Sequence, residues 1–174
     1  MRVLLVLSVF TLLVAGCRLD GRERIFEMPY PNFNFEIPAG FAPTRTLVFL
    51  FDNINTNMDF FLQQNNSDTS VIYAINPFSA RITSLDNQSY YFIEQVSVRI
   101  CADDGQECSF GDEVFYVDRL QGRAGTSIDL LPSLRNVKPL LSGKRFRMEV
   151  VLFLNDFTPY TVSSRLDMIF EAVR

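Results

Sequence analysis

The chain has 174 residues, enough for one sizeable hydrophobic core, and a formal net charge of −4, so it carries no basic surplus with which to hold nucleic acid. It contains no histidine, which excludes Ser-His-Asp and Cys-His catalysis together with imidazole metal sites, and no tryptophan, which excludes a tryptophan-based sugar platform. Its aromatic content rests on 17 Phe, a composition suited to the interior of a β-sandwich.

Met1-Arg2 is followed by Val3 to Val14, apolar but for Ser8 and Thr11, and then by Ala15-Gly16-Cys17. A short basic start, an apolar stretch of about 12 residues and small residues before a cleavage point predict an export signal, too short to cross a bilayer core of roughly 30 Å as a helix. Leu13-Val14-Ala15-Gly16-Cys17 resembles the lipobox of bacterial lipoproteins, and a charged segment, Arg18 to Arg24, follows it at once. The resemblance implies cleavage before Cys17 and a diacylglycerol on its thiol, with two or three acyl chains holding the protein stably on its membrane. Position 18 is Arg, not the Asp that retains many such proteins at the inner membrane. The resemblance therefore implies the outer membrane of a Gram-negative bacterium, with the periplasmic and the outer face both open. The division that follows is a signal peptide over 1–16, a lipidated Cys17 and short tether over 17–25, and one domain over 26–174.

Four prolines between Phe26 and Pro43 forbid a helix or a central strand, but Phe33, Phe35 and Ile37 alternate with Asn34 and Glu36 and predict an edge strand over 32–37. Leu47, Phe49 and Phe51 share one face and Val48 and Leu50 the other, so 46–54 predicts an inner strand buried on both sides. The Asn-rich stretch that follows places side-chain oxygens at every second residue. Met58 stands where an EF-hand loop needs glycine and Gln64 where it needs a bidentate Glu, so the stretch reads as a plain loop. Phe60-Phe61-Leu62 precedes a polar loop over 63–68 and is expected to be buried over the end of the sandwich, with an exposed contact patch as the alternative.

Short strands are predicted over 70–75 and 79–84, separated by Asn76-Pro77. Over 90–101, Phe92, Val96, Val98 and Ile100 share a face, and Glu94 on that face predicts an exposed strand start or a bulge. Residues 113–118 return as the partner strand. Once Cys17 is assigned to lipid, Cys101 and Cys108 remain as a pair in an oxidising compartment and predict a disulfide that staples this hairpin. Gly122 to Gly125 reads as a turn and Ser127 to Leu131 as a strand ended by Pro132. Leu134, Val137 and Leu141 lie at nearly helical spacing, with Pro139 limiting any helix to about two turns. Alternation over 145–154 and 160–172 predicts a final antiparallel hairpin.

Together these elements predict an all-β antiparallel sandwich, immunoglobulin-like, with about seven to nine strands, or alternatively a small closed barrel. Asp103, Asp104, Glu107 and Asp112, with Glu113 beside them, form a local acidic cluster that could offer hard oxygen ligands to Ca²⁺. A solvated hairpin tip that discourages edge pairing explains the same residues, and is preferred. No cofactor is implied beyond the lipid on Cys17. The expected role is a non-catalytic binding or accessory one in the cell envelope. Its partners would be the membrane through the anchor and an envelope protein or glycan, with loops 52–68 and 102–112 setting specificity. The alternative is a small envelope hydrolase using carboxylates alone, for which two facing carboxylates in a cleft are required.

Overall fold

The computed structural model describes residues 22–120 and 124–174. The expected signal peptide with its lipobox-like end, Cys17, and the Gly122-Arg123 part of the expected turn lie outside the described residues.

Eight antiparallel strands form one sheet: β1 (Arg24–Ile37), β2 (Thr46–Asn55), β3 (Ala74–Ser84), β4 (Ile93–Ala102), β5 (Glu113–Val117), β6 (Ser127–Pro132), β7 (Arg145–Leu154) and β8 (Val162–Val173). Their order is β1-β8-β3-β6-β5-β4-β7-β2. The all-β antiparallel expectation holds, in a nearly closed, barrel-like form. One continuous order, linked between β5 and β6 by the two pairs Phe115–Pro132 and Tyr116–Leu131, joins the halves β1-β8-β3-β6 and β5-β4-β7-β2, an arrangement that fits the expected sandwich and its small-barrel alternative alike. Among the described residues two α-helices interrupt the strands, α1 (Met58–Gln64) and the single turn α2 (Lys138–Leu141).

The end strands β1 and β2 close on each other through side chains. Phe33 meets Phe51 at 5.5 Å between ring centroids, and Phe35 meets Phe49 at 4.7 Å. Each step up one strand is matched by a step down the other, so the contact continues the antiparallel sense of the sheet. Two bulges flank it. Between Tyr30 and Phe33, β1 holds one residue more than β8, with Asn32 in the left-handed region at φ 68°. Between Phe51 and Ile54, β2 gains one residue on β7, with Asn53 at φ 58°. Asn tolerates this conformation better than most residues, and each bulge switches which alternate side chains point inward. Thus Phe26, Met28 and Tyr30 face the core before the first bulge, and Phe33, Phe35 and Ile37 after it.

Several local expectations are corrected. The edge strand is longer than 32–37, beginning at Arg24. The strand expected over 70–75 is absent before Ala74, and its last two residues run on with 79–84 as one strand, β3, which passes Pro77 with a bulge between Pro77 and Ser79. Strands β7 and β8 form no hairpin: β7 pairs with β2 and β4, and β8 with β1 and β3. Strand β2 is an end strand, with Val48 and Leu50 half exposed. The Asn-rich stretch 53–59, expected as a loop, is divided between the end of β2 at Asn55 and the start of α1 at Met58, and α1 also takes Gln63 and Gln64 from the expected polar loop, with Met58 and Phe61 buried and Phe60 exposed. The Glu94 expectation holds, since β4 bulges between Ile93 and Gln95.

Tyr30 ties α1 to the core. Its ring stands edge-on to Phe61, Phe146 and Phe170, at 6.1, 5.4 and 5.8 Å, and its hydroxyl donates to the Thr56 carbonyl. The pairs Arg24–Val173, Ala74–Val173, Asn55–Arg145 and Ala102–Phe146 mark one end of the barrel. That end collects the chain entry, segment 56–73, loop 103–112 and segment 133–144. The opposite end carries 38–45, 85–92 and 155–161. Phe146 is fully buried, and Phe146→Ala is expected to cost about 3–5 kcal/mol. Leu134→Ala, at a fully exposed position, should stay within about 0.5 kcal/mol in urea denaturation followed by circular dichroism.

Candidate functional site

Strand β7 points Phe146, Met148, Val150, Leu152 and Leu154 into the core and Arg147, Glu149, Val151 and Phe153 outward. An outward Glu would ordinarily be solvated, yet Glu149 is only 4% exposed. The cause is the loop after β4. Cys101, on β4, is bonded to Cys108, and the loop folds back over the outer face of the sheet. The Cys108 N–H donates to Glu149 Oε1 at 3.0 Å, and Arg147 Nη1 donates to the Gln106 carbonyl at 2.8 Å. Arg147 also lies within ion-pair range of Asp52 at 3.1 Å and Glu149 at 3.8 Å. Burial of such charges is tolerable only where partners replace water, and the loop supplies them.

Beside this loop the outer face holds a groove of about 410 Å³. Val48 and Leu50 of β2 and Val151 and Phe153 of β7 make an apolar floor. Cys108, Glu107 and Phe110 form the rim on the loop side, and Arg99 of β4 stands between floor and rim. The Arg99 guanidinium stacks on the Phe110 ring, 4.5 Å from its centroid, while its Nε is buried without a hydrogen-bond partner. Phe110 itself is held out at the surface by a short 3₁₀ turn, Phe110–Asp112. The arrangement can take an extended apolar segment and offers a stacked cation beside it.

The disulfide expected between Cys101 and Cys108 is present, at a Cα–Cα distance of 5.5 Å. The acidic cluster beside it does not converge. Asp103, Asp104 and Glu107 are exposed, and Asp104 accepts from the Gln106 N–H at 3.0 Å in a local turn. Asp112 turns to Arg135, 2.7 Å away, and caps the 3₁₀ turn through the N–H and hydroxyl of Ser109. Glu113 accepts from the Ser97 hydroxyl at 2.5 Å. Among the described residues no group of three His, Cys, Asp or Glu side chains is placed to share a metal ion. Alternation along 145–154 puts Arg147 and Glu149 on the face away from the core, and the one sign in the sequence that this face is covered is that Val151 and Phe153 share it.

At the opposite end, Asp86 accepts from the Ser163 N–H and the Ser84 hydroxyl, which hold its carboxyl below the usual range. The Tyr90 hydroxyl is pushed up to about 12, by burial first, with the Ser164 hydrogen bond acting in the opposite direction. These groups secure loop 85–92 and form no cleft with the groove. The chain matches no protein-family model and no curated protein.

Burial raises the Asp112 pKa, but the Ser109 hydroxyl, the Ser109 N–H and Arg135 together outweigh it and leave the pKa lowered. A depressed folded-state pKa contributes stability above the unfolded value of about 3.9, lost as pH falls through the folded value. Asp112→Asn should therefore lower the urea midpoint at pH 7, with the deficit shrinking at pH values below the folded pKa. An equal deficit at both would assign the loss to hydrogen-bond geometry alone.

Proposed function

We propose that the protein is an outer-membrane-anchored lipoprotein of the cell envelope that binds a partner polypeptide without catalysis. The groove beside the disulfide loop carries this reading. Val48, Leu50 and Phe110 are exposed next to Val151 and Phe153, and loop 103–109 is fastened to the sheet by the disulfide and by Glu149 and Arg147. A rigid apolar floor beside a stacked cation suits recognition of a partner's apolar side chains. Glu149, the buried carboxylate of the groove, is engaged by a backbone N–H and lies near Arg147, a role in holding the loop. The lipobox ending at Cys17 supports the anchored location, and Arg18 supports the outer membrane.

A photo-cross-linking amino acid at Leu50 should capture a discrete envelope protein in living cells, and Phe110→Ala should weaken that band several-fold. The same cross-linker at Leu85, at the opposite end, should not capture it. The N-terminal peptide of the membrane-extracted protein should begin at Cys17 and carry acyl mass, and Cys17→Ser should abolish that mass. Equal patterns from Leu50 and Leu85 would contradict the groove, and an N-terminal peptide without acyl mass would contradict the anchor.

A further inference from the structure

We infer that the end of the barrel at which the chain enters is a bilayer-contacting face, with Phe60, Val71, Tyr73 and Leu134 seated among the headgroups of the leaflet that holds the lipid on Cys17. The inference rests on the lipoprotein reading of Cys17. Arg22 is fixed at this end: its guanidinium lies 4.9 Å from the Tyr73 ring centroid, and the adjoining Glu23 exchanges backbone hydrogen bonds with Arg174 at 3.2 and 3.0 Å. From Cys17 to Arg22 the chain can span at most about 18 Å. A lipid on Cys17 therefore holds this end against the bilayer, leaving little room for a folded partner between them.

The side chains found there suit an interface. Tyr73 is 65% exposed, Phe60 59%, and Leu134 fully so, with Val71 half exposed. They come from α1, the segment leading into β3, and the segment after β6, and the latter two are locked together. Lys138 Nζ donates to the Ile72 carbonyl at 2.5 Å, and the Val137 N–H to the Ile75 carbonyl at 2.8 Å. On α1, Phe61 enters the core while its neighbour Phe60 points out, so the exposure of Phe60 is set by the helix and not by fraying. Arg22 over Tyr73, at 4.9 Å, pairs a cation for lipid phosphate with an amphipathic ring, whereas Arg24, over Phe78 at 4.1 Å, is already held by Glu27 and Glu171 at 2.7 and 2.8 Å. Aromatic rings and basic side chains of this kind partition to the headgroup region.

The natural chain has no tryptophan, so one substitution makes a single-Trp protein. Full-length protein carrying Phe60→Trp, Tyr73→Trp or Phe157→Trp would be purified from membranes. Each would be reconstituted in phosphatidylethanolamine–phosphatidylglycerol vesicles with or without brominated acyl chains, and its N-terminal peptide weighed. All three positions are exposed, so folding should be undisturbed. The expected result is about twofold quenching of the Phe60→Trp and Tyr73→Trp proteins and none of the Phe157→Trp protein at the opposite end. An acylated Cys17 with no quenching of either anchor-end variant, or with equal quenching at both ends, overturns the bilayer face alone. A Cys17 without acyl mass overturns the lipoprotein reading and this inference with it.

Discussion

The fold depends on how an eight-stranded antiparallel sheet meets itself without a final ladder of hydrogen bonds. Strands β1 and β2 lie at the two ends of the order, and rings of Phe33, Phe35, Phe49 and Phe51 fill the seam between them. Such aromatic pairs are worth about 0.5–1.5 kcal/mol each beyond the area they bury. The seam also protects two strand edges that would otherwise template pairing with another chain. Asn32 and Asn53 set its limits, because each bulge re-aims the alternation so that phenylalanines face the seam on one side, while on the other Tyr30 packs toward α1 and Ile54 against the core. Tyr30 then joins helix, seam strand and core through three ring contacts and the Thr56 carbonyl.

Much of this was legible as local alternation. Strands β4, β5, β6, β7 and β8 show it directly, and the pairing of Cys101 with Cys108 followed from counting cysteines. The rest depends on contacts that local periodicity does not encode. A one-residue bulge reverses the phase of a strand, so Phe26, Met28 and Tyr30 looked irregular beside Phe33, Phe35 and Ile37 although all belong to β1. Alternation in β7 and β8 says that each has a buried face, and says nothing of whether the two pair with each other. Val48 and Leu50 looked like the second buried face of an inner strand, whereas they line an open groove on an end strand. Glu149 is covered by a loop more than forty residues earlier in the chain, a contact for which its own neighbours give only the indirect hint of Val151 and Phe153.

The groove and the proposed bilayer face share the loops gathered at one end of the barrel. Loop 103–112 leaves β4 at the end where Arg22 enters, then turns back along the outer face to bury Glu149 and support Phe110. A partner held in the groove would thus sit on the flank of the barrel, close to the membrane that the anchor implies. The disulfide and the Arg147–Gln106 bond fix the groove wall to the same sheet that the phenylalanine seam closes. Loosening the seam frees the edge of β2, which carries the groove floor at Val48 and Leu50, so the fold and the candidate site share one support.

That dependence is tested most directly by a double-mutant cycle on Phe35→Ala and Phe49→Ala, read by urea denaturation. The account predicts a coupling energy of about 0.5–1.5 kcal/mol between the two rings. Additive losses, agreeing within about 0.3 kcal/mol, would mean that the end strands are not held to each other through this pair.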